Sequence, residues 1–197
     1  DKDDKRRARE IPIEEKKTFC WIEGMRYCMQ LKAQMPHTKL INVLDREADF
    51  FEMFDDQRCN CSKVDLLVRA QYNRNTTGEH KLFETVRQSP IQAQVNIKVP
   101  RQSARPKKSK QKARPKRLAR TAKASVRYVQ IELNPPPYMK EKESIPLWIV
   151  HVREDTPPAD TEALEWFLLT TLEIKAVDGA LNCVKWYCLR WRIEDWH

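Results

Sequence analysis

A strand–helix–strand order near the start of the chain is the feature that most limits its possible folds. Leu40–Leu44 is a short apolar strand, residues 46–56 carry apolar side chains at helical spacing, and Val64–Val68 is a second apolar strand. A helical connection between two buried strands is typical of parallel neighbours. We therefore expect an α/β fold in which Asp45 and Arg69 follow the carboxyl ends of paired strands.

The remaining predicted elements are one helix before this unit and mostly strands after it. In chain order they are a helix over 14–35, strands over Ile91–Val99, Val129–Leu133, Leu147–Val152 and Trp166–Thr170, and a helix over 178–196 with Asp178 as its N-cap. We expect a small α/β piece over 1–70, a mostly β insertion over 71–158, and a return strand and helix over 159–197.

Positive charge is concentrated in one segment. Twelve of the 37 basic residues fall between Arg101 and Arg127, which contains no acidic residue, so the other 25 are outnumbered by the 28 acidic residues. This distribution excludes a uniformly basic packaging protein. Because the segment is rich in Pro, Lys and Arg, we expect a disordered basic arm over about 100–126 that attracts phosphate without reading sequence.

Composition excludes several functional classes. The three glycines cannot form a phosphate-cradling loop, so we expect no nucleotide cofactor. No apolar run is long enough for a membrane span, and the charged start lacks the apolar core of a secretory signal. Six thinly spread cysteines suit reduced thiols, and Cys59-x-Cys61 is a weak metal motif.

Two groups of polar residues could carry chemistry, and each has a plainer alternative. Asp45 lies where open α/β sheets place active-site groups, but it could equally cap the helix that follows. Tyr187, Arg190 and Glu194 are spaced to share one helical face, but Arg190 and Glu194 could be an ordinary surface pair.

Taken together, these segments resemble a known enzyme family. Asp45-Arg-Glu-Ala-Asp49 resembles the D-R-E-A-D signature of bacterial insertion-sequence transposases, and Tyr187-x2-Arg190-x3-Glu194 resembles their Y-R-E-K signature. These cut-and-paste enzymes have a ribonuclease H-like core, interrupted by a β insertion, and a D-D-E metal triad. The resemblance, which runs from about residue 14 to the end, implies a partial ribonuclease H-like core here.

The resemblance also implies roles for individual residues. Asp45 and Glu194 match two catalytic, metal-binding carboxylates, which would hold Mg²⁺ or Mn²⁺ in a two-metal site. Arg69, Tyr187 and Arg190 match DNA-contacting residues, and Trp166 matches a tryptophan that stacks a flipped base. We add the arm as a further DNA-binding group, through Lys107, Lys108, Lys110, Lys112, Arg114, Lys116 and Arg117.

Two positions of the family pattern have no match. The 44 residues before Asp45 show no strand ending in the first aspartate, and the signature lysine would fall at position 201. We therefore expect a transposase fragment that binds the double-stranded DNA of transposon ends but does not cleave strands by itself. The region that pairs family protomers for self-association has no match either, and a bacterial cytoplasmic, nucleoid-associated location is implied.

A second hypothesis assigns the chain no catalysis. On this view it is a DNA-binding remnant that acts through the basic arm, with affinity that falls steeply with salt and does not depend on Asp45 or Mg²⁺.

Overall fold

The computed structural model describes residues 11–104, 106 and 115–190. In chain order its helices and strands are α1 (Phe19–Gln34), β1 (Leu40–Leu44), α2 (Phe51–Asn60), β2 (Val64–Arg69), α3 (Leu82–Gln88), β3 (Ala93–Val99), β4 (Arg120–Leu133), β5 (Ile145–Glu154), β6 (Glu165–Thr170) and α4 (Val177–Leu189). Short 3₁₀ turns cover Ile13–Glu15, Arg46–Ala48 and Pro137–Met139. The chain is mixed α/β, as predicted.

One six-stranded sheet, in the order β1-β2-β6-β5-β4-β3, organises the described residues. β1 and β2 are parallel, with Leu44 beside Val68, which confirms the parallel pair predicted from the sequence. The other neighbours are antiparallel. The strands predicted to lie in an insertion thus continue the sheet that β1 and β2 begin, and the division of the chain into domains stays a prediction.

Alternating side chains give the sheet two apolar faces. On one face Leu66, Leu169 and Ile149 belong to a buried cluster with residues of α1, α2 and α3. On the other face Leu67 and Leu168 belong to a second cluster, which includes Val184 and Tyr187 of α4. Because both faces are covered at β2 and β6, these two strands are buried along nearly their whole length. β3 instead alternates more buried with exposed residues, as predicted.

The predicted basic arm ends earlier than expected. β4 begins at Arg120, and its alternate residues Ala122, Ala124 and Val126 are buried, so residues 120–126 are a strand and not a disordered segment. Gln102 and Arg117 form a further antiparallel bridge beyond β3 and β4. Small apolar residues at a period of two give this segment a buried face, which the count of cations concealed.

Three other predicted elements need correction, and one helix was not predicted. The helix predicted over 14–35 begins only at Phe19, after a separate 3₁₀ turn over Ile13–Glu15. Residues 46–56 are not one helix, because a 3₁₀ turn over Arg46–Ala48 precedes α2, which starts at Phe51. Asp178 lies in the first turn of α4, whose N-cap position is Ala176. α3 was not predicted, although Leu82 and Val86, four residues apart, are both buried. The part of the last predicted helix beyond residue 190 lies outside the described residues.

Candidate functional site

Asp45 lies at the carboxyl end of the parallel strand pair. It directly follows β1, and because Leu44 is beside Val68, the next residues along the two strands are Asp45 and Arg69. Although Asp45 occupies the N-cap position of the 3₁₀ turn, its side chain makes no capping hydrogen bond. The capping alternative is therefore wrong, and its carboxylate is engaged elsewhere.

The carboxylate of Asp45 contacts two described signature residues, Tyr187 of α4 and Arg190, which directly follows α4. The Tyr187 hydroxyl donates a hydrogen bond to Asp45 Oδ1 at 3.2 Å. Arg190 Nη2 lies 3.1 Å from Asp45 Oδ2. The fold thus joins two motifs that are 142 residues apart in the sequence. Since the side chain of Asp45 is 39% exposed, the joined group remains open to a ligand.

Tyr187 is the buried centre of this group. Burial raises the pKa of its phenol, and the negative charge of Asp45 acts in the same direction, whereas Arg69 and Arg190 oppose the shift. The phenol is therefore protonated at neutral pH and donates its proton to Asp45. The Arg190 guanidinium lies 5.6 Å from the centre of the same ring. These contacts bring Asp45, Arg69, Tyr187 and Arg190 into one constellation.

Trp166 adjoins the constellation, but its ring is enclosed. It contacts Tyr187 edge to face, with ring centres 5.0 Å apart, and only 3% of the residue is exposed. Its neighbours in the buried cluster include Leu168 and Val152. A base could stack on the full Trp166 ring only after the residues that cover it move, so the structure gives this tryptophan a packing role and leaves its DNA contact a prediction.

A cleft of about 1110 Å³ opens beside Trp166. Its lining includes seven cationic side chains and three acidic ones among the described residues. The cations are Arg46, Arg69, Lys98, Lys116, Arg117, Arg120 and Arg153. The acids are Asp160, Glu162 and Glu165. Two arm residues, Lys116 and Arg117, therefore face the same cleft as Arg69. The other five predicted arm contacts, Lys107, Lys108, Lys110, Lys112 and Arg114, lie outside the described residues.

Arg120 is held in the cleft wall by a buried carboxylate. Its Nε and Nη2 donate to the two oxygens of Glu154 at 2.9 and 2.7 Å. The Leu164 amide also donates to Glu154, at 2.9 Å. Hydrogen bonding to Arg120 lowers the pKa of Glu154, so the pair is ionised at neutral pH. The sequence did not single out Arg120 as a site residue, because its partner is 34 positions away.

Asp49, the last residue of the D-R-E-A-D segment, has a structural role. Its side chain is fully buried and accepts hydrogen bonds from the Gln71 and Tyr72 amides at 2.6 and 3.1 Å. Arg74 Nη2 lies 2.8 Å from its other oxygen. Asp49 thereby ties the turn that carries Asp45 to the loop after β2. The sequence offered no sign of this role beyond the motif itself.

The described residues supply one carboxylate of the expected metal site. Asp45 has the hard oxygens that Mg²⁺ prefers and is partly exposed, so it suits the role of a ligand. Within residues 11–104, 106 and 115–190, no three His, Cys, Asp or Glu side chains are grouped to hold a metal ion. Glu194, the second expected ligand, lies outside these ranges.

A search of protein-family models finds none that matches this chain. Within the described part of the chain, no helix has the length and apolarity needed to cross a membrane.

Proposed function

We propose that the chain is part of a DDE-type insertion-sequence transposase, with a ribonuclease H-like core that carries out metal-dependent DNA cleavage and strand transfer. The observation that carries this proposal is the contact of Asp45 with both Tyr187 and Arg190. Asp45 and Tyr187 of the two family-like motifs are 142 positions apart, and nothing in their local sequences requires them to meet. Their meeting at the carboxyl end of parallel strands is what a shared active site needs.

Each residue of the constellation has a distinct task in this proposal. Arg69 and Arg190 bind a DNA phosphate, and the buried Tyr187 hydroxyl fixes the orientation of the Asp45 carboxylate. Asp45, together with Glu194, would hold Mg²⁺ or Mn²⁺. When bound, the two ions would activate the attacking oxygen and stabilise the leaving oxygen of the phosphodiester. Without a bound ion, Arg190 neutralises the Asp45 charge, so the ion pair must loosen as DNA and metal arrive.

The proposal is tested by DNA binding measured with and without Mg²⁺ at constant ionic strength. For the unaltered chain we expect Mg²⁺ to strengthen binding to duplex DNA that carries a transposon end. In Asp45→Asn the Mg²⁺ effect should disappear, while binding without Mg²⁺ should be equal or tighter because a negative charge beside the phosphate is lost. An Mg²⁺ effect of the same size in both proteins contradicts a metal role for Asp45. Glu47→Gln, at an exposed acid two positions away, is the matched control.

A second candidate function is DNA binding without catalysis, favoured by the excess of cations in the cleft. Lys98 and Lys116 are exposed on its lining and are suited to phosphate contacts. The double substitution Lys98→Ser and Lys116→Ser should weaken duplex binding. It should also make the fall of log K with log salt concentration less steep, by about 0.9 for each lost phosphate contact.

The matched control is Lys63→Ser, which lies just before β2 and so at the opposite end of that strand from Arg69. If the double lysine substitution weakens duplex binding while Asp45→Asn leaves the effect of Mg²⁺ on binding unchanged, the binding function stands and the catalytic one fails.

A further inference from the structure

A second pocket shares one lining residue with the cleft. Its volume is about 510 Å³, within the usual range of small-ligand sites, and its lining includes Trp21, Tyr72 and Tyr138. Arg46 lines both this pocket and the cleft. The proposed function does not use the pocket, although its position beside the turn of Asp45 connects it to any ligand in the cleft.

Two tyrosines of this pocket are strongly exposed. Tyr72 is 56% and Tyr138 is 47% exposed, so each side chain is accessible to a ligand in the pocket. Each ring lies near a cation: Arg74 is 6.0 Å from the centre of the Tyr72 ring, and Lys16 is 5.9 Å from that of Tyr138. These contacts reduce the freedom of the rings, and a pre-ordered aromatic surface loses less entropy when a flat ligand stacks on it.

A buried carboxylate oxygen in this pocket favours a ligand that carries a hydrogen-bond donor. Glu52 Oε2 is enclosed and has no hydrogen-bond partner among the described residues. Its Oε1 is 3.5 Å from the Tyr138 hydroxyl and 3.8 Å from Lys16 Nζ, which are both long contacts. A buried acceptor without a donor is costly, so once the side chains that enclose this oxygen turn aside, a ligand that offers an N–H group would be bound favourably here.

The charges of the lining favour a base over a bare phosphate. Three cations, Lys16, Lys17 and Arg46, are balanced by the carboxylates of Asp49, Glu47 and Glu52. A near-neutral pocket gives little attraction to a doubly charged anion. It suits a flat, uncharged ring with N–H donors, whose attached phosphate can be reached by the exposed Lys17 or Arg46.

We propose that this pocket, between Tyr72, Tyr138 and Glu52, binds an unpaired nucleobase of a DNA strand that continues from the cleft. The base stacks on the tyrosine rings, and its exocyclic amino group donates to Glu52 Oε2 after the side chains that enclose this oxygen have turned aside. Adenine, cytosine and guanine have such a group, whereas thymine does not. This inference rests on the proposed DNA binding of the cleft, and it adds a site for single-stranded DNA that neither motif nor basic arm predicted.

The test compares two DNA ligands by fluorescence anisotropy: a blunt duplex, and the same duplex with a short single-stranded cytosine overhang. We expect the overhang to strengthen binding by the unaltered chain. Tyr72→Ala and Tyr138→Ala should each weaken overhang binding by at least about fivefold and leave blunt-duplex binding unchanged. Tyr72→Phe should retain the effect, because the stacking ring is kept.

Two further variants make the test specific. Tyr27→Ala is the matched control, because Tyr27 is 60% exposed but does not line the pocket. Glu52→Gln should reduce the preference for a cytosine over a thymine overhang, since the amide offers a weaker acceptor to the amino group.

The outcomes separate the two proposals. If the blunt duplex binds but the overhang adds nothing, or if Tyr72→Ala and Tyr138→Ala bind the overhang as the unaltered chain does, the base site is overturned and cleft binding stands. If the blunt duplex does not bind, the proposed function fails. A single-stranded cytosine oligonucleotide then decides the base site, which requires binding that Tyr72→Ala weakens.

Discussion

The hydroxyl of Tyr187 donates a hydrogen bond to Asp45 Oδ1 at 3.2 Å, and this contact joins the first predicted motif to the second. Tyr187 belongs to the buried face of α4, whereas Asp45 follows an edge strand of the sheet. The contact therefore fixes one end of α4 against the end of the parallel strand pair. It also explains why the Asp45 side chain does not cap the turn that follows it.

Tyr187→Phe should separate the orienting role of the hydroxyl from the packing of the ring. The ring would keep its edge contact with Trp166, so we expect a loss of only about 1 kcal/mol in the free energy of unfolding, from one hydrogen bond. Urea denaturation measures this loss. Tyr187→Leu should cost more, because the aromatic contact also disappears. Equal losses in the two variants would mean that the hydroxyl, and not the ring, carries the stability.

Asp49→Ala should be among the most destabilising changes in the D-R-E-A-D segment. The substitution leaves Arg74 and two backbone amides without their buried partner, and breaking a buried ion pair costs about 3–5 kcal/mol. Urea denaturation again provides the measurement. Glu47→Ala, at an exposed position of the same turn, should change stability by less than about 0.5 kcal/mol. Similar effects at the two positions would contradict a structural role for Asp49.

The thiols should differ sharply in reactivity. Burial raises the pKa of Cys183 to about 12, so almost none of it is thiolate at pH 8, and it lies on the buried face of α4. Cys20 and Cys59 are exposed free thiols. Alkylation of the native chain by N-ethylmaleimide, followed by peptide mass spectrometry, should label Cys20 and Cys59 quickly and leave Cys183 unmodified until urea is added. Rapid labelling of Cys183 in the native chain would show that α4 opens readily from the sheet.

The sequence predicted the buried strands well, because their apolar content is a local property. β1 agrees with its predicted bounds, and β2 extends the predicted strand only by Arg69. The first half of β4 was missed because the buried residues of Arg120–Val126 are small and stand between cations, so the charge obscured their alternation. The turn over Arg46–Ala48 was missed for another reason. Its geometry depends on contacts of Asp49 with the distant loop after β2, which no local window contains.

Only part of the candidate site could be predicted in the same way. Asp45, Tyr187 and Arg190 were identified by motif resemblance, and their contacts required the fold. Arg120 stands in a run of cations that look alike in the sequence, and only its pairing with Glu154 distinguishes it. Tyr72 was not distinguished from other tyrosines, since exposure at a pocket is decided by which residues happen to surround it.

The Arg120–Glu154 pair predicts how stability depends on pH. Because hydrogen bonding to Arg120 lowers the pKa of Glu154 in the folded chain, folding favours the ionised carboxylate. Its contribution is complete above the ordinary glutamate pKa, about 4.3, and is lost as the pH falls through the lower pKa of the folded state. Urea denaturation at a series of pH values between neutral and acidic should therefore show decreasing stability in the acidic range.

Glu154→Gln isolates this contribution from the other carboxylates. The variant should be less stable than the unaltered chain at neutral pH, because Arg120 loses its ionic partner in the wall of the cleft. Its stability should also fall less steeply on acidification, since one group that takes up a proton on unfolding has been removed. Glu162→Gln, on the cleft lining but exposed, is the matched control and should keep the steeper dependence. Parallel pH profiles for Glu154→Gln and the unaltered chain would show that the pair does not couple protonation to folding.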